Sequence, residues 1–302
     1  MAVLPTPTRL RALLVGTATL LSVPAAQAHT PFLLPLEFGV SRDHVTLQAA
    51  LTEDLYFVPD LPIRNADYYV IGPDGQRARL DALAQLKDFT AIEVPLPATG
   101  TYKFTTGDQS TRISKMALID GQWRQVRPAG AKAPVPETKP GEAQPPAAQA
   151  APTDDKRPRA IDEAMIPAGT QVIEVQAVQR VETYVTRGAP SNDALQASGR
   201  GFEVRPITHP NEIYLDRGFT FEVLDDGKPV RDVAFAVYRG GNAYDDKKIA
   251  QEARSDANGR VTLNFERPGI YLMNTRYPAR RGPAEAPASR TTTYTMTFEV
   301  VR

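Results

Sequence analysis

The stretch Leu224-Asp225-Asp226-Gly227-Lys228-Pro229-Val230 decides the fold class. It follows an apolar run at 213–224, and its Asp-Gly supplies the positive φ angles at which two strands reverse in a tight turn. Ser255-Asp256-Ala257-Asn258-Gly259-Arg260 predicts a second hairpin of the same kind. Working outward, strands are expected near 202–204, 213–224, 233–238, 261–265, 270–273 and 294–301. A long β-branched stretch at 172–185 precedes them all.

The first part of the chain uses the same idiom. Val45, Leu47, Ala49 and Leu51 fall on one face of a strand. Tyr68-Tyr69-Val70-Ile71 leads into the turn Gly72-Pro73-Asp74-Gly75, and Ile92, Val94 and Leu96 precede Gly100-Thr101-Tyr102-Lys103-Phe104. Only residues 80–86 read as helical. Gly100-Thr101-Tyr102 resembles the late Gly269-Ile270-Tyr271, so both halves carry the Gly-x-Tyr that enters a late strand of immunoglobulin-like domains. The expected fold is all-β, with two immunoglobulin-like antiparallel β-sandwich domains.

Proline and alanine crowd the segment from Pro128, as in Gln144-Pro145-Pro146, and such composition cannot offset its ordering entropy by burial. The predicted organisation is a signal peptide at 1–28, an N-terminal sandwich at 29–127, a Pro/Ala-rich linker or insertion at 128–165 and a C-terminal sandwich at 166–302. The signal peptide rests on Arg9 and Arg11, an apolar run at 12–23 and the small-x-small site Ala26-Gln27-Ala28. Cleavage after Ala28 makes His29 the first mature residue and directs the protein to the periplasm.

The 302 residues carry 35 Lys plus Arg and 35 Asp plus Glu, three histidines and no cysteine. Disulfides, thiolate metal sites and thiol catalysis are thereby excluded. A near-neutral chain without basic blocks is a poor nucleic-acid binder, and the basic run at 276–281 is short and interrupted by proline. After residue 28 no apolar run reaches the length of a membrane helix, so no integral membrane segment is expected in the mature chain.

An amino-terminal histidine offers a metal its amine and Nδ1 together, nitrogen donors that suit Cu(II) and Ni(II). His29 is therefore the leading candidate ligand. His209, in the loop sequence Thr208-His209-Pro210-Asn211, is the leading distal ligand, ahead of His44 at a strand start. Glu37, Asp43, Glu53 and Asp54 are the nearest carboxylates by sequence, and the methionines lack the clustering of a Cu(I) carrier. Asp225-Asp226-Gly227 and Asp256-Ala257-Asn258-Gly259 lack the carboxylate pattern of a calcium loop and read as turns. No Gly-x-Ser-x-Gly, phosphate loop or His-Glu-x-x-His is present, and the expectation is a non-enzyme.

Several blocks together resemble the domain of unknown function 4198 family. They are Ala28-His29-Thr30-Pro31-Phe32-Leu33-Leu34-Pro35, Glu203-Val204-Arg205-Pro206, 224–230, 255–263 and Pro268-Gly269. The resemblance implies a periplasmic protein associated with nickel or cobalt uptake, working with an outer-membrane receptor or an inner-membrane transporter. It also implies a ligand role for the histidine after the signal peptide, here His29. The chain departs from many members in continuing with Thr30-Pro31-Phe32-Leu33, in placing Tyr271 where they have Trp, and in lacking a histidine at 274–277. The reading that follows is a periplasmic protein binding Ni(II), Co(II) or Cu(II) for uptake or delivery. Its alternatives are a metal-free module docking on a receptor or cell-envelope component, and a copper-dependent oxidative enzyme.

Overall fold

The computed structural model describes residues 29–53, 57–63, 66–107, 111–128, 160–241, 248–279, 282 and 284–302. The predicted signal peptide and most of the Pro/Ala-rich segment, 129–159, lie outside the described residues. In the first part the strands are β1 (Thr30–Pro35), β2 (Gly39–Val40), β3 (His44–Thr52), β4 (Leu61–Pro62), β5 (Tyr68–Ile71), β6 (Arg77–Leu80), β7 (Leu83–Gln85), β8 (Thr90–Pro95), β9 (Gly100–Thr105), β10 (Thr111–Ile119) and β11 (Gln122–Arg127). They continue with β12 (Ile161–Asp162), β13 (Val172–Arg187), β14 (Phe202–Pro206), β15 (Phe219–Asp225), β16 (Lys228–Pro229), β17 (Ala234–Arg239), β18 (Gln251–Arg254), β19 (Arg260–Leu263), β20 (Gly269–Tyr277) and β21 (Arg290–Val300). The fold is all-β and built of antiparallel sandwiches, as the alternating sequence demands.

Two cores form, and β13 lines both. Its odd residues Val181 and Val185 join Leu33, Val45, Leu47, Ile92, Tyr102 and Phe104 in the first core. On its other face Tyr184 joins Phe219, Phe221, Phe235, Tyr294 and Phe298 in the second. This division follows from the two-residue period of a strand, which sends neighbouring side chains to opposite faces. β13 also bonds to β9, antiparallel with Tyr184 opposite Lys103, and to β21, parallel with Thr183 opposite Thr297. A third cluster of Phe32, Ala50 and Leu272 fills the seam where β1 and β3 turn their even residues onto β20. The β1 edge is closed by side chains: the Thr295 hydroxyl donates to the Pro31 carbonyl at 2.8 Å and the Thr297 hydroxyl to that of Leu33.

The sequence boundary at 128–165 assigns β13 to the second sandwich alone, whereas the strand serves both. The described ends of that segment also lie side by side, for Val126 pairs with Ile161 in parallel strands β11 and β12.

Both Gly-x-Tyr motifs act as expected. Tyr102 donates its hydroxyl to the Ala98 carbonyl at 2.8 Å, and Tyr271 donates to that of Arg267 at 2.7 Å, each four residues upstream. Gly100 and Gly269 just before them have φ of 136° and 143°, where a side chain is strained. The Asp226-Gly227 turn has φ of 48° and 74° and closes β15 on β16, with Asp225 opposite Lys228.

Three expectations are corrected. Residues 80–86 form no helix: Leu83–Gln85 pairs with β8, Leu83 opposite Ile92, because one short turn cannot repay helix nucleation while an open strand edge stands beside it. The Asn258-Gly259 turn is no hairpin, since β18 pairs with β17 and β19 with β15, so it carries the chain between sheets. Its shape is still set locally, by the Asp256 carboxylate accepting from the amides of Asn258 and Arg260. The apolar run at 213–224 is strand only from Phe219, for Gly218 at φ 69° closes a turn back onto the Tyr214 carbonyl.

Candidate metal centre

His29 directly precedes β1, which anchors the chain that follows. Thr30 and Phe32 are 2% and 0% exposed, so the main chain is locked into the sheet from the next residue onward. The β1–β3 register sets Thr30 opposite Thr52, which brings the residues beyond them, His29 and Glu53, face to face. His29 Nε2 lies 3.3 Å from Glu53 Oε1, with both side chains partly open to solvent. Asp60 braces the carboxylate's backbone: its Oδ2 accepts the Glu53 amide at 2.8 Å, and its own amide donates to the Leu51 carbonyl at 2.9 Å. A carboxylate on Nε2 favours the tautomer protonated there and leaves the Nδ1 lone pair free.

The other two histidines lie elsewhere. His44 sits at the opposite end of β3 from Thr52, roughly 27 Å away at the rise of a strand, with its Nδ1 3.1 Å from Asp43. The Asp43 carboxyl is held below its ordinary range chiefly by that hydrogen bond. His209 lies beside Thr101, whose hydroxyl bonds that of Thr186 on β13. β1 runs along β21 through the Thr295 and Thr297 bonds and β21 runs parallel to β13, so the His29 end falls near the level of Gln179, roughly 23 Å from Thr186. The structure therefore does not bring together the two ligands the sequence pairs.

His209 belongs to a different constellation. Its Nδ1 accepts the Asn211 amide at 3.2 Å, so the proton sits on Nε2, which faces Thr101 Oγ1 at 2.9 Å and the Ser191 carbonyl at 3.3 Å. Thr101 in turn bonds the Thr186 hydroxyl, and Thr186 donates to Asn211 Oδ1 at 2.8 Å. Asn211 Nδ2 donates to the carbonyls of Phe38 and Tyr184, each at 3.1 Å. The residue is 9% exposed, and burial pulls its pKa below the ordinary value, opposed by Glu212 and the Ser191 carbonyl. With its proton on the nitrogen nearest Thr101, the imidazole is arranged as a donor toward that hydroxyl and not as a base for it. Both ring nitrogens are engaged by the protein itself, which removes the sequence argument for His209 as a ligand.

Among the other carboxylates, Glu37 pairs with Arg42 at 3.1 Å, and Asp54 lies outside the described residues. Asp226 is absorbed by the fold, its Oδ1 accepting the Gly201 amide at 2.7 Å. Met273 and Met296 are fully buried in the second core. Among the described residues no group of three His, Asp or Glu is placed to hold an ion by side chains alone. No helix among them is long and apolar enough to cross a membrane.

Sequence reasoning missed a buried polar chain. Lys103 Nζ meets Glu182 Oε1 at 2.8 Å, and the Tyr294 hydroxyl donates to Glu182 Oε2 at 2.9 Å, all on the second-core side of β13. Arg180, two residues along, donates to the Phe202 carbonyl at 2.7 Å. Arg180 and Glu182 were visible as charges inside a β-branched run, which was the available signal.

The family model for DUF4198, a domain of unknown function, matches residues 26–279. The chain belongs to that family. No curated protein sequence matches the chain. Among solved structures it is similar to the D0-D1 domain of intimin, at 9% identity and a TM-score of 0.20, covering 89% of this chain and 97% of that one. A DUF4785 family protein from Legionella pneumophila matches at 10% identity and a TM-score of 0.22, over 80% of this chain and 50% of that one. Trypsin-activated alpha-2-macroglobulin from Escherichia coli matches at 13% identity and a TM-score of 0.22, over 91% of this chain but 24% of that one.

Proposed function

We propose that the protein is exported to the periplasm, is cut after Ala28 and binds a transition-metal ion, Ni(II), Co(II) or Cu(II), through the amine and Nδ1 of His29. The observation that carries this reading is the Glu53 carboxylate 3.3 Å from His29 Nε2. Metal-bound histidines donate their second ring N–H to a carboxylate, a backbone carbonyl or water, which fixes the tautomer and strengthens the donor. The buried start of β1 supports the same reading, because it places His29 next to an anchored residue. Two protein nitrogens leave the remaining positions of the ion open to water or to a partner. Such a half-filled shell suits transfer to an outer-membrane receptor or an inner-membrane transporter better than storage. A copper brace with oxidative chemistry needs a second imidazole at the ion, and neither His44 nor His209 lies within reach of His29.

The test begins with protein secreted through its own leader, whose intact mass gives the first residue. Calorimetric titration with Cu(II) and Ni(II) then follows for the parent, His29→Ala and Glu53→Gln. A mass starting at His29, one tight site, its loss in His29→Ala and a roughly 10- to 100-fold weakening in Glu53→Gln are expected. Equal binding by parent and His29→Ala sinks the assignment. The metal-free docking module is favoured by one feature, the edge of β7, which among the described residues pairs only with β8 and where Leu83 and, just beyond it, Leu86 are exposed. Co-purification of an envelope protein that a chelator leaves unchanged would support that second reading.

A further inference from the structure

We infer that Phe57 is a positioning residue for the His29 site, acting through Asp60 and Glu53 and tying that site to the seam between the two sandwiches. The inference rests on the metal reading above. Phe57 has φ of 70°, a conformation that a bulky aromatic residue adopts only when its surroundings hold it there. Its ring meets Phe32 edge-on, with centroids 5.6 Å apart at 89°, in the cluster that includes Leu272 of β20. Gly240, just past β17, makes room for the ring: a Cβ there would fall 2.9 Å from Phe57 Cδ2 and 3.3 Å from the Ile270 carbonyl. The absence of a side chain at 240 thus lets a loop of the first sandwich seat its ring against the second.

Three residues after Phe57 comes Asp60, whose carboxylate holds the Glu53 amide while its amide holds the Leu51 carbonyl. A ring anchored in the seam therefore supports the segment that holds the Glu53 backbone, and the Glu53 carboxylate is the group that stands 3.3 Å from His29 Nε2. None of these groups touches the metal except His29. Phe57 acts at two removes, and its effect on affinity comes through the carboxylate.

The experiment uses full-length secreted protein, the parent, Phe57→Ala, Phe57→Leu and Gly240→Ala, each checked by circular dichroism. Cu(II) and Ni(II) affinities are measured by calorimetry and Cu(II) coordination by electron paramagnetic resonance. Phe57→Ala and Gly240→Ala are expected to bind about tenfold more weakly with a changed Cu(II) spectrum, as loss of support to a ligand does. Phe57→Leu, which keeps an apolar plug, is expected to recover most of the affinity. Because Gly240→Ala alters neither Phe57 nor Glu53, it keeps the idea testable where Phe57→Ala fails to fold. Parent-level affinity and spectrum in folded Gly240→Ala and Phe57→Ala overturn the inference while leaving the metal reading standing. A parent that binds neither ion overturns both.

Discussion

Asn211→Ala removes the bonds that hold the loop after β14 onto the strand shared by the two cores. The side chain donates to the Phe38 and Tyr184 carbonyls and accepts from the Thr186 hydroxyl, at 3.1, 3.1 and 2.8 Å. At about 1 kcal/mol net for each intramolecular hydrogen bond, the loss is about 3 kcal/mol. In urea this corresponds to a midpoint lowered by about 1 M for a protein of this size. Equilibrium unfolding would be followed by far-ultraviolet circular dichroism and by the fluorescence of Trp123, the single tryptophan, which is 5% exposed. Asn211→Asp is the companion variant: it turns the donors aimed at two carbonyls into an acceptor and is expected to destabilise at least as much. A loss below about 1 kcal/mol in Asn211→Ala would refute the clamp, since a typical single bond is worth that much.

Two further outcomes follow from the buried groups. The His209 pKa is lowered by burial, so below about pH 6.5 the unfolded chain takes up a proton that the folded ring resists. Its contribution to stability is complete above that pH and falls as the pH drops below it. Urea midpoints at pH 7.5 and 5.0 should therefore converge more in His209→Gln than in the parent, and an identical acid loss in both would exclude this group. Lys103→Met leaves Glu182, whose side chain is 3% exposed, without its cation and is expected to cost about 3–5 kcal/mol by thermal or urea unfolding. A loss under 1 kcal/mol would mean that the Tyr294 hydroxyl alone satisfies the carboxylate.

What could be read from the chain depends on the range over which each signal acts. The alternation of Val45, Leu47 and Ala49, the Asp226-Gly227 turn and the two Gly-x-Tyr corners are local, and each forms as expected. The division of β13 between two cores was hidden in the sequence, because Glu174, Gln176, Arg180 and Glu182 all fall on its even positions, the pattern of a strand with one face in water. Only its partners reveal that both faces are covered from Arg180 to Thr186. Residues 80–86 misled because an apolar spacing of a few residues fits a helix and an edge strand equally well. Of the proposed site, His29 was legible from its place after the predicted cleavage signal, while Glu53 gained its meaning only from the β1–β3 register. A lone histidine in a loop, such as His209, carries no mark of its neighbours. The threonine that engages it is 108 residues away, and the asparagine beside it was the only local hint.

The sharing of β13 governs how the molecule can be divided. A fragment ending at 128 would lack the strand that supplies Val181 and Val185 to its interior, and a fragment from 160 onward would lose β9, the partner of Lys103–Glu182. The first piece thus lacks part of its own core, whereas every residue of the second core lies within 160–302, and what that piece loses is the cation beside Glu182. A backbone break within 129–159 would leave the two pieces joined by the β9–β13 and β10–β13 ladders. The strength of that union would be set by hydrogen-bonded pairing and buried side chains, with no help from covalent continuity. The boundary along the gene and the boundary in space are thus different, and substitutions at Tyr184 and Val185, adjacent in sequence, perturb different interiors.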